Sequence, residues 1–182
     1  MSHIGKGQSG QVITASENST SWETPVAGSG GGSSASVGAR LVQTVAYSLA
    51  HNSSVEIPFD GSDTEVFDTD DFHDPVTNNE RLTVPAGLGG TYIVTGSISF
   101  ATNTNGIRQF CMYHKNSGGT VQSNVYHIDD APNNGTGAYY NASFIVQAIP
   151  GDYFTIEAYQ NTGGNLNLGT SATSISCYRL GD

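Results

Sequence analysis

Charged residues are scarce in this sequence, and basic ones most of all. Only 12% of the 182 residues are charged, and 6 Lys and Arg stand against 16 Asp and Glu, giving a formal net charge of −10. A field of that sign repels phosphate backbones, which argues against a nucleic-acid partner. The residues that fill helices are also few, whereas Gly, Ser, Thr and Asn abound. This composition favours an all-β protein with many turns.

Long hydrophobic runs are absent as well. No stretch approaches the roughly 20 apolar residues that span a bilayer, and the N-terminus, MSHIGKGQSG, lacks the apolar core of a signal peptide. We therefore expect a protein made in a cytoplasm, with no signal peptide and no membrane insertion. The two cysteines, Cys111 and Cys177, fall on predicted strands. A cytoplasmic origin argues against a disulfide, so we expect buried free thiols.

The sequence contains no pattern that predicts catalysis. Its five histidines, at positions 3, 51, 73, 114 and 127, show neither metal-ligand nor nucleophile–base spacing, and no phosphate loop or Gly-x-Ser-x-Gly motif is present. His114 and His127 lie on strands that could pair and bring two imidazoles together, although half-exposed strand positions are the favoured interpretation. We therefore predict no enzyme and no catalytic, cofactor-binding or metal-binding residues.

From about residue 39 to residue 182 the sequence predicts a single domain built from short strands. Runs with alternating apolar residues are separated by clusters of Gly, Asn, Asp and Pro, the spacing typical of sandwiches and barrels. Leu41, Val45, Tyr47 and Leu49 are expected on one face of the first strand. About ten strands are predicted, at 41–49, 55–59, 65–67, 81–84, 92–100, 107–115, 120–128, 137–149, 152–160 and 173–180.

The segment from Phe67 to Phe100 carries the most distinctive order of residues. Phe67-Asp68 opens an acidic loop, Leu82 to Pro85 forms a short strand with a corner, and Gly90-Thr91-Tyr92-Ile93-Val94 starts a long strand. This order resembles the globular head of complement and the tumour-necrosis-factor-like (TNF-like) jelly rolls. Pro150-Gly151-Asp152 and Ser174-Ile175-Ser176 continue the resemblance, and the extra pair Gly89-Gly90 departs from it. It implies a ten-stranded, two-sheet jelly roll, here with an extended N-terminal arm.

One predicted strand, Gly137 to Ile149, is apolar on both faces. Phe144, Val146 and Ala148 are expected on one face, and Tyr139, Ile145 and Ile149 on the other. A solvated antiparallel sheet should have a polar outer face, so the second face must be covered. In the family that the chain resembles, two more copies cover it, which implies a homotrimer around a threefold axis.

Nine acidic residues crowd the stretch from Glu56 to Glu80, with Arg81 as the one neighbouring cation. They are Glu56, Asp60, Asp63, Glu65, Asp68, Asp70, Asp71, Asp74 and Glu80. Carboxylates at alternate positions, such as Asp68 and Asp70, can converge on calcium. Solvated turns in which Asp side chains cap backbone N–H groups explain the same residues and are favoured. We expect no cofactor, with calcium as the alternative.

The first 38 residues differ from the rest. Residues 28–38 form a Gly/Ser-rich linker, and residues 1–27 form an arm in which Gln11 to Ala15 and Trp22 predict a small hairpin. Gly10-Gln11-Val12-Ile13-Thr14, followed by Trp22 and Pro25, resembles an element of bacteriophage tail and fibre proteins, with Ile13 where Leu is usual. The resemblance implies that the arm anchors the chain to a capsid or tail protein.

Together these features predict a non-enzymatic bacteriophage structural protein on the virion surface. A leader of 38 residues spans at most about 130 Å and lacks heptads, which favours a capsid decoration or short head spike over a long fibre. The alternative is a tail-tip receptor-binding protein that attaches to a host cell-surface glycan through its many Tyr and Asn side chains. A glycan-degrading enzyme is the third and least favoured hypothesis.

Overall fold

The computed structural model describes residues 12–16, 19–23, 36–61, 64–130 and 137–182, and the chain divides into two units, residues 1–35 and 36–182. In the first unit, β1 (Val12–Ser16) and β2 (Ser19–Glu23) pair antiparallel, with Ile13 opposite Trp22. The hairpin predicted for the arm is therefore confirmed at the level of the backbone. Pro25, the linker up to residue 35, Asp63 and the loop 131–136 lie outside the described residues.

The second unit is built from strands. They are β3 (Gly38–Val42), β4 (Tyr47–Leu49), β5 (Ser53–Glu56), β6 (Glu65–Asp68), β7 (Arg81–Thr83), β8 (Gly90–Phe100), β9 (Ile107–Lys115), β10 (Val121–Asp130), β11 (Ala138–Ala148), β12 (Tyr153–Gln160), β13 (Leu166–Leu168) and β14 (Ser174–Gly181). The described part of the chain contains no helix, and so none that is long and apolar enough to cross a membrane.

These strands form two antiparallel sheets that enclose one core. The five-stranded sheet has the order β10-β9-β12-β5, with β7 also paired to β12. The seven-stranded sheet has the order β4-β13-β8-β14-β3-β6, with β11 paired to the free side of β8. The prediction of an all-β, two-sheet jelly roll is confirmed.

The long strand β8 shows how alternation builds the core. Tyr92, Val94, Ile98 and Phe100 are buried, as predicted from their spacing. Burial raises the pKa of Tyr92 to about 12, and its hydroxyl donates a hydrogen bond to the Leu88 carbonyl. Gly96 occupies the same face, where an added Cβ would lie 2.9 Å from Met112 Sδ and 3.0 Å from Ile156 Cγ2. The close approach of the opposite sheet thus favours glycine there.

The described residues from 36 to 182 form two more strands than the sequence predicts there. The predicted first strand is divided, because the chain bends between β3 and β4: Gln43 donates its backbone N–H to Thr173 O and its Nε2–H to Val45 O. This bend leaves Val45 56% exposed while Leu41 is fully buried, so the prediction that the two residues share one face is wrong. The other additional strand is β13, which pairs with β4 through Leu166 and Leu49.

Candidate assembly and binding surfaces

The outer face of the seven-stranded sheet is uncharged at its centre. Strand β8 lies between β11 and β14, and the side chains that alternate with the core residues of these three strands point away from the core. They are Thr91, Ile93, Thr95, Ser97 and Ser99 of β8, Tyr139, Asn141, Ser143, Ile145 and Gln147 of β11, and Ser174, Ser176, Tyr178 and Leu180 of β14. We call these residues the open face. None of them carries a charge, on a chain whose formal net charge is −10.

An apolar row crosses the open face. Ile145, Ile93 and Tyr178 are register partners on adjacent strands, and the Tyr178 ring continues the row to Phe67 of β6, with 5.4 Å between ring centroids. Ile145 is 63% exposed and Tyr139, farther along β11, is 70% exposed. The two-sided apolar character predicted for β11 is confirmed, because Ala148 is buried and Phe144 and Val146 are packed against the core.

Several polar residues of the open face form hydrogen bonds within the chain. Thr95 Oγ1 and Ser176 Oγ lie 2.6 Å apart, and Ser97 Oγ donates to the Ala172 carbonyl at 2.7 Å. Thr91 Oγ1 donates to Gln147 Oε1 at 2.9 Å. Hydroxyls that already have partners within the chain lose less free energy when another surface covers them. The open face is therefore suited to burial.

The outer face of the five-stranded sheet has the opposite character. Glu56 forms an ion pair with Lys115 and accepts a hydrogen bond from Thr155 Oγ1 at 3.2 Å. The guanidinium of Arg81 lies 4.4 Å from the centre of the Tyr153 ring. Charged groups paired in this way are typical of surfaces that remain in water. The two sheets thus differ in the face that they can offer to a partner copy.

The acidic stretch is organised by caps. Asp68 accepts hydrogen bonds from the backbone N–H groups of Asp70, Phe72 and His73. Asp74 accepts those of Val76 and Thr77, and these bonds, chiefly the one from Thr77, hold the pKa of Asp74 below its usual range. The favoured interpretation as capped turns fits these bonds. Among the described residues no group of three or more His, Cys, Asp or Glu is arranged to hold a metal ion.

Two buried histidines form pairs that the sequence did not predict. His73 Nδ1 lies 2.8 Å from Glu65 Oε1, and His114 Nε2 lies 2.9 Å from Asp152 Oδ2. His114 and His127 do not meet: in the register of β9 and β10, His114 is opposite Ser123, and the His127 ring packs on Tyr140 with 4.5 Å between centroids. The alternative of two adjacent imidazoles is wrong, since His127 lies four positions along β10 from Ser123, the register partner of His114.

Both cysteines are buried free thiols, as predicted. Burial raises the pKa of the Cys177 thiol to about 12 and also raises that of Cys111. Because the thiolate is the reactive form, we expect neither cysteine to react with iodoacetamide in the native protein at pH 8, and both to react after unfolding in guanidinium chloride. Mass spectrometry of the labelled chain checks this. Rapid native labelling of Cys177 would contradict the packing of β14 against β3.

Comparison with known proteins identifies the fold. No protein-family model matches the chain, and no curated protein does. Among solved structures, it is similar to the globular domain of zebrafish complement 1qA protein (10% identity, TM-score 0.56, covering 80% of this chain and 98% of that chain). It is also similar to murine APRIL at pH 5.0 (14%, 0.55, 80% and 99%) and to Eiger TNF from S. frugiperda (11%, 0.53, 81% and 94%). The chain therefore has the jelly-roll fold shared by the complement head and TNF.

Proposed function

We propose that this chain is a non-enzymatic structural protein that assembles as a homotrimer through the open face and serves as a bacteriophage capsid decoration or short head spike. The observation that carries the assembly is the absence of charge from the outward positions of β8, β11 and β14. Charged residues are depleted at the centres of protein interfaces, and aromatic residues such as Tyr are enriched there. A trimer is also the assembly that the resemblance to complement-head and TNF-like jelly rolls implies.

The attachment to a virion rests on the N-terminal arm. The order of residues from Gly10 to Pro25 resembles that of an element in bacteriophage tail and fibre proteins. The pairing of β1 with β2 supports an arm with a structure of its own. We propose that this arm binds a capsid or tail protein, that the Gly/Ser-rich linker acts as a hinge, and that the jelly roll projects from the virion surface.

Deletion of residues 1–25 tests this attachment. We expect the truncated chain to form trimers as the full chain does, because the jelly roll retains the open face. Without the arm, it should no longer bind virions that were assembled in the absence of this protein. Cosedimentation with virions measures the binding. A chain that lacks residues 29–34 is the matched control, since it keeps the arm, and it should bind normally. Equal binding of the chain without residues 1–25 would contradict the anchor.

A tail-tip receptor-binding protein is the second candidate function. Tyrosines on the outer side of the five-stranded sheet favour it: Tyr113 of β9 and Tyr159 of β12 are half-buried and lie on the same face as Lys115 and Glu157. Rings beside polar groups are adaptable contacts for sugars and proteins. If this candidate is correct, the purified full chain added in excess blocks the adsorption of virions to host cells, whereas a capsid decoration leaves adsorption unchanged.

A further inference from the structure

A cavity of about 500 Å³ opens beside the turn that precedes β12. Its lining includes His114 of β9, Gln122 and Ser123 of β10, Gln147 of β11, and Ile149 and Asp152 of the turn. The cavity lies where the edge strands of the two sheets, β10 and β11, come together. Its volume falls within the range of roughly 300–1,000 Å³ that small-molecule sites occupy.

A buried polar pair forms part of the wall. His114 is 4% exposed and Asp152 is 6% exposed, and their side chains meet at 2.9 Å. Asp152 Oδ2 also accepts the Ile149 backbone N–H at 3.1 Å, and the His114 ring packs against Phe154 with 5.5 Å between centroids. These contacts fix the pair in place. A polar wall held in this way can orient a ligand without first becoming ordered.

Three further side chains offer polar atoms to a ligand. Ser123 Oγ is buried and has no hydrogen-bond partner among the described residues. Gln147 receives the Thr91 hydroxyl at Oε1, which leaves its Nε2 as a donor. Gln122 donates its Nε2–H to Thr120 O, which leaves its Oε1 as an acceptor. A buried hydroxyl without a partner costs free energy that a bound polar ligand can offset.

This lining selects one class of ligand. Hydrogen-bond donors and acceptors lie beside the aliphatic side chains of Val146 and Ile149. A sugar ring matches both, because its hydroxyls can form hydrogen bonds and its C–H faces can pack on aliphatic groups. Among the described residues no Lys or Arg lines the cavity, and Asp152 together with the net charge of −10 disfavours anions. We propose that this cavity binds a neutral glycan through one or two hexose units. The proposal rests on the second candidate function and specifies its ligand.

The test combines a glycan array with calorimetry on the full chain. The array carries neutral oligosaccharides of glucose, galactose, mannose and N-acetylhexosamines beside sialylated and phosphorylated counterparts, and calorimetry follows with the best neutral binder. We expect neutral glycans to bind and the double variant Gln122→Ala, Ser123→Ala to lose about tenfold or more in affinity, since it removes two hydrogen bonds without changing the open face. Ser123→Ala should weaken binding severalfold. Asn165→Ala, an exposed amide outside the lining, is the matched control and should bind normally.

Two results would overturn the proposal. One is the binding of anionic glycans alone or of no glycan. The other is unchanged affinity in the double variant and in Ser123→Ala, which would place the ligand elsewhere. Because blocking of virion adsorption is measured separately, the two failures can be distinguished. A chain that blocks adsorption but binds no neutral glycan keeps the second candidate function and loses this cavity as its site.

Discussion

Replacement of Ile145 by Glu is expected to convert the proposed trimer into monomers. Ile145 is 63% exposed in the single chain, so the substitution changes the stability of one jelly roll little. In the proposed assembly the same position is buried with Ile93 and Tyr178. Burial of an unpaired carboxylate costs several kcal/mol, and three copies would also repel one another. At micromolar concentration the variant should sediment as a single chain with an unchanged circular dichroism spectrum.

Val121→Glu is the matched control for this prediction. Val121 is 45% exposed and lies on β10, at the edge of the five-stranded sheet. The variant therefore introduces the same Glu side chain at a position outside the open face. It should keep the oligomeric mass of the wild-type protein. If Ile145→Glu stays trimeric while Val121→Glu dissociates, the interface lies on the other sheet and the assignment of the open face is wrong.

Among the substitutions proposed here, replacement of Phe154 by Ala is expected to lower the free energy of unfolding most. Phe154 is fully buried on β12, with 5.7 Å between its ring centroid and that of Tyr92. Removal of a buried Phe side chain costs about 3–5 kcal/mol through lost transfer free energy and the cavity left behind. Domains are stable by only about 5–15 kcal/mol, so much of the stability should disappear. Guanidinium chloride unfolding at one fixed protein concentration measures the difference.

Tyr159→Ala is the control for this prediction, because it removes an aromatic ring from the same strand but outside the core. Tyr159 lies on the same strand as Phe154 but is half-buried, with its hydroxyl donating to Asn52 Oδ1 at 3.2 Å. We expect it to lose less than half of the free energy of unfolding that Phe154→Ala loses. Equal losses for the two variants would show that the strand, and not the packing between the sheets, determines the cost.

The alternation of apolar residues predicted the strands and most of the core. It placed Tyr92, Val94 and Ile98 in the interior, because any extended strand turns successive side chains to opposite faces. The same rule predicted that β11 has apolar residues on both faces. It failed at Val45, where the bend depends on a hydrogen bond between Gln43 and the distant Thr173, which no local pattern contains.

The polar sites were predictable only where their bonds are local. Asp68 and Asp74 cap N–H groups within five residues, so the sequence alone favoured capped turns. The pair of His114 and Asp152 spans 38 residues, and the ion pair of Lys115 and Glu56 spans 59. Neither has a spacing signature, since the sheets bring their partners together. The cavity beside Asp152 has no signature in the sequence for the same reason.

The central claim is that the open face holds three copies of the chain together. Multi-angle light scattering of the full chain at micromolar concentration tests it most directly. The chain has a mass of 19.0 kDa, and we predict a single species of three times that mass, unchanged on dilution through the micromolar range. A species with the mass of one chain would contradict the assembly and would leave the uncharged centre of the seven-stranded sheet without an explanation.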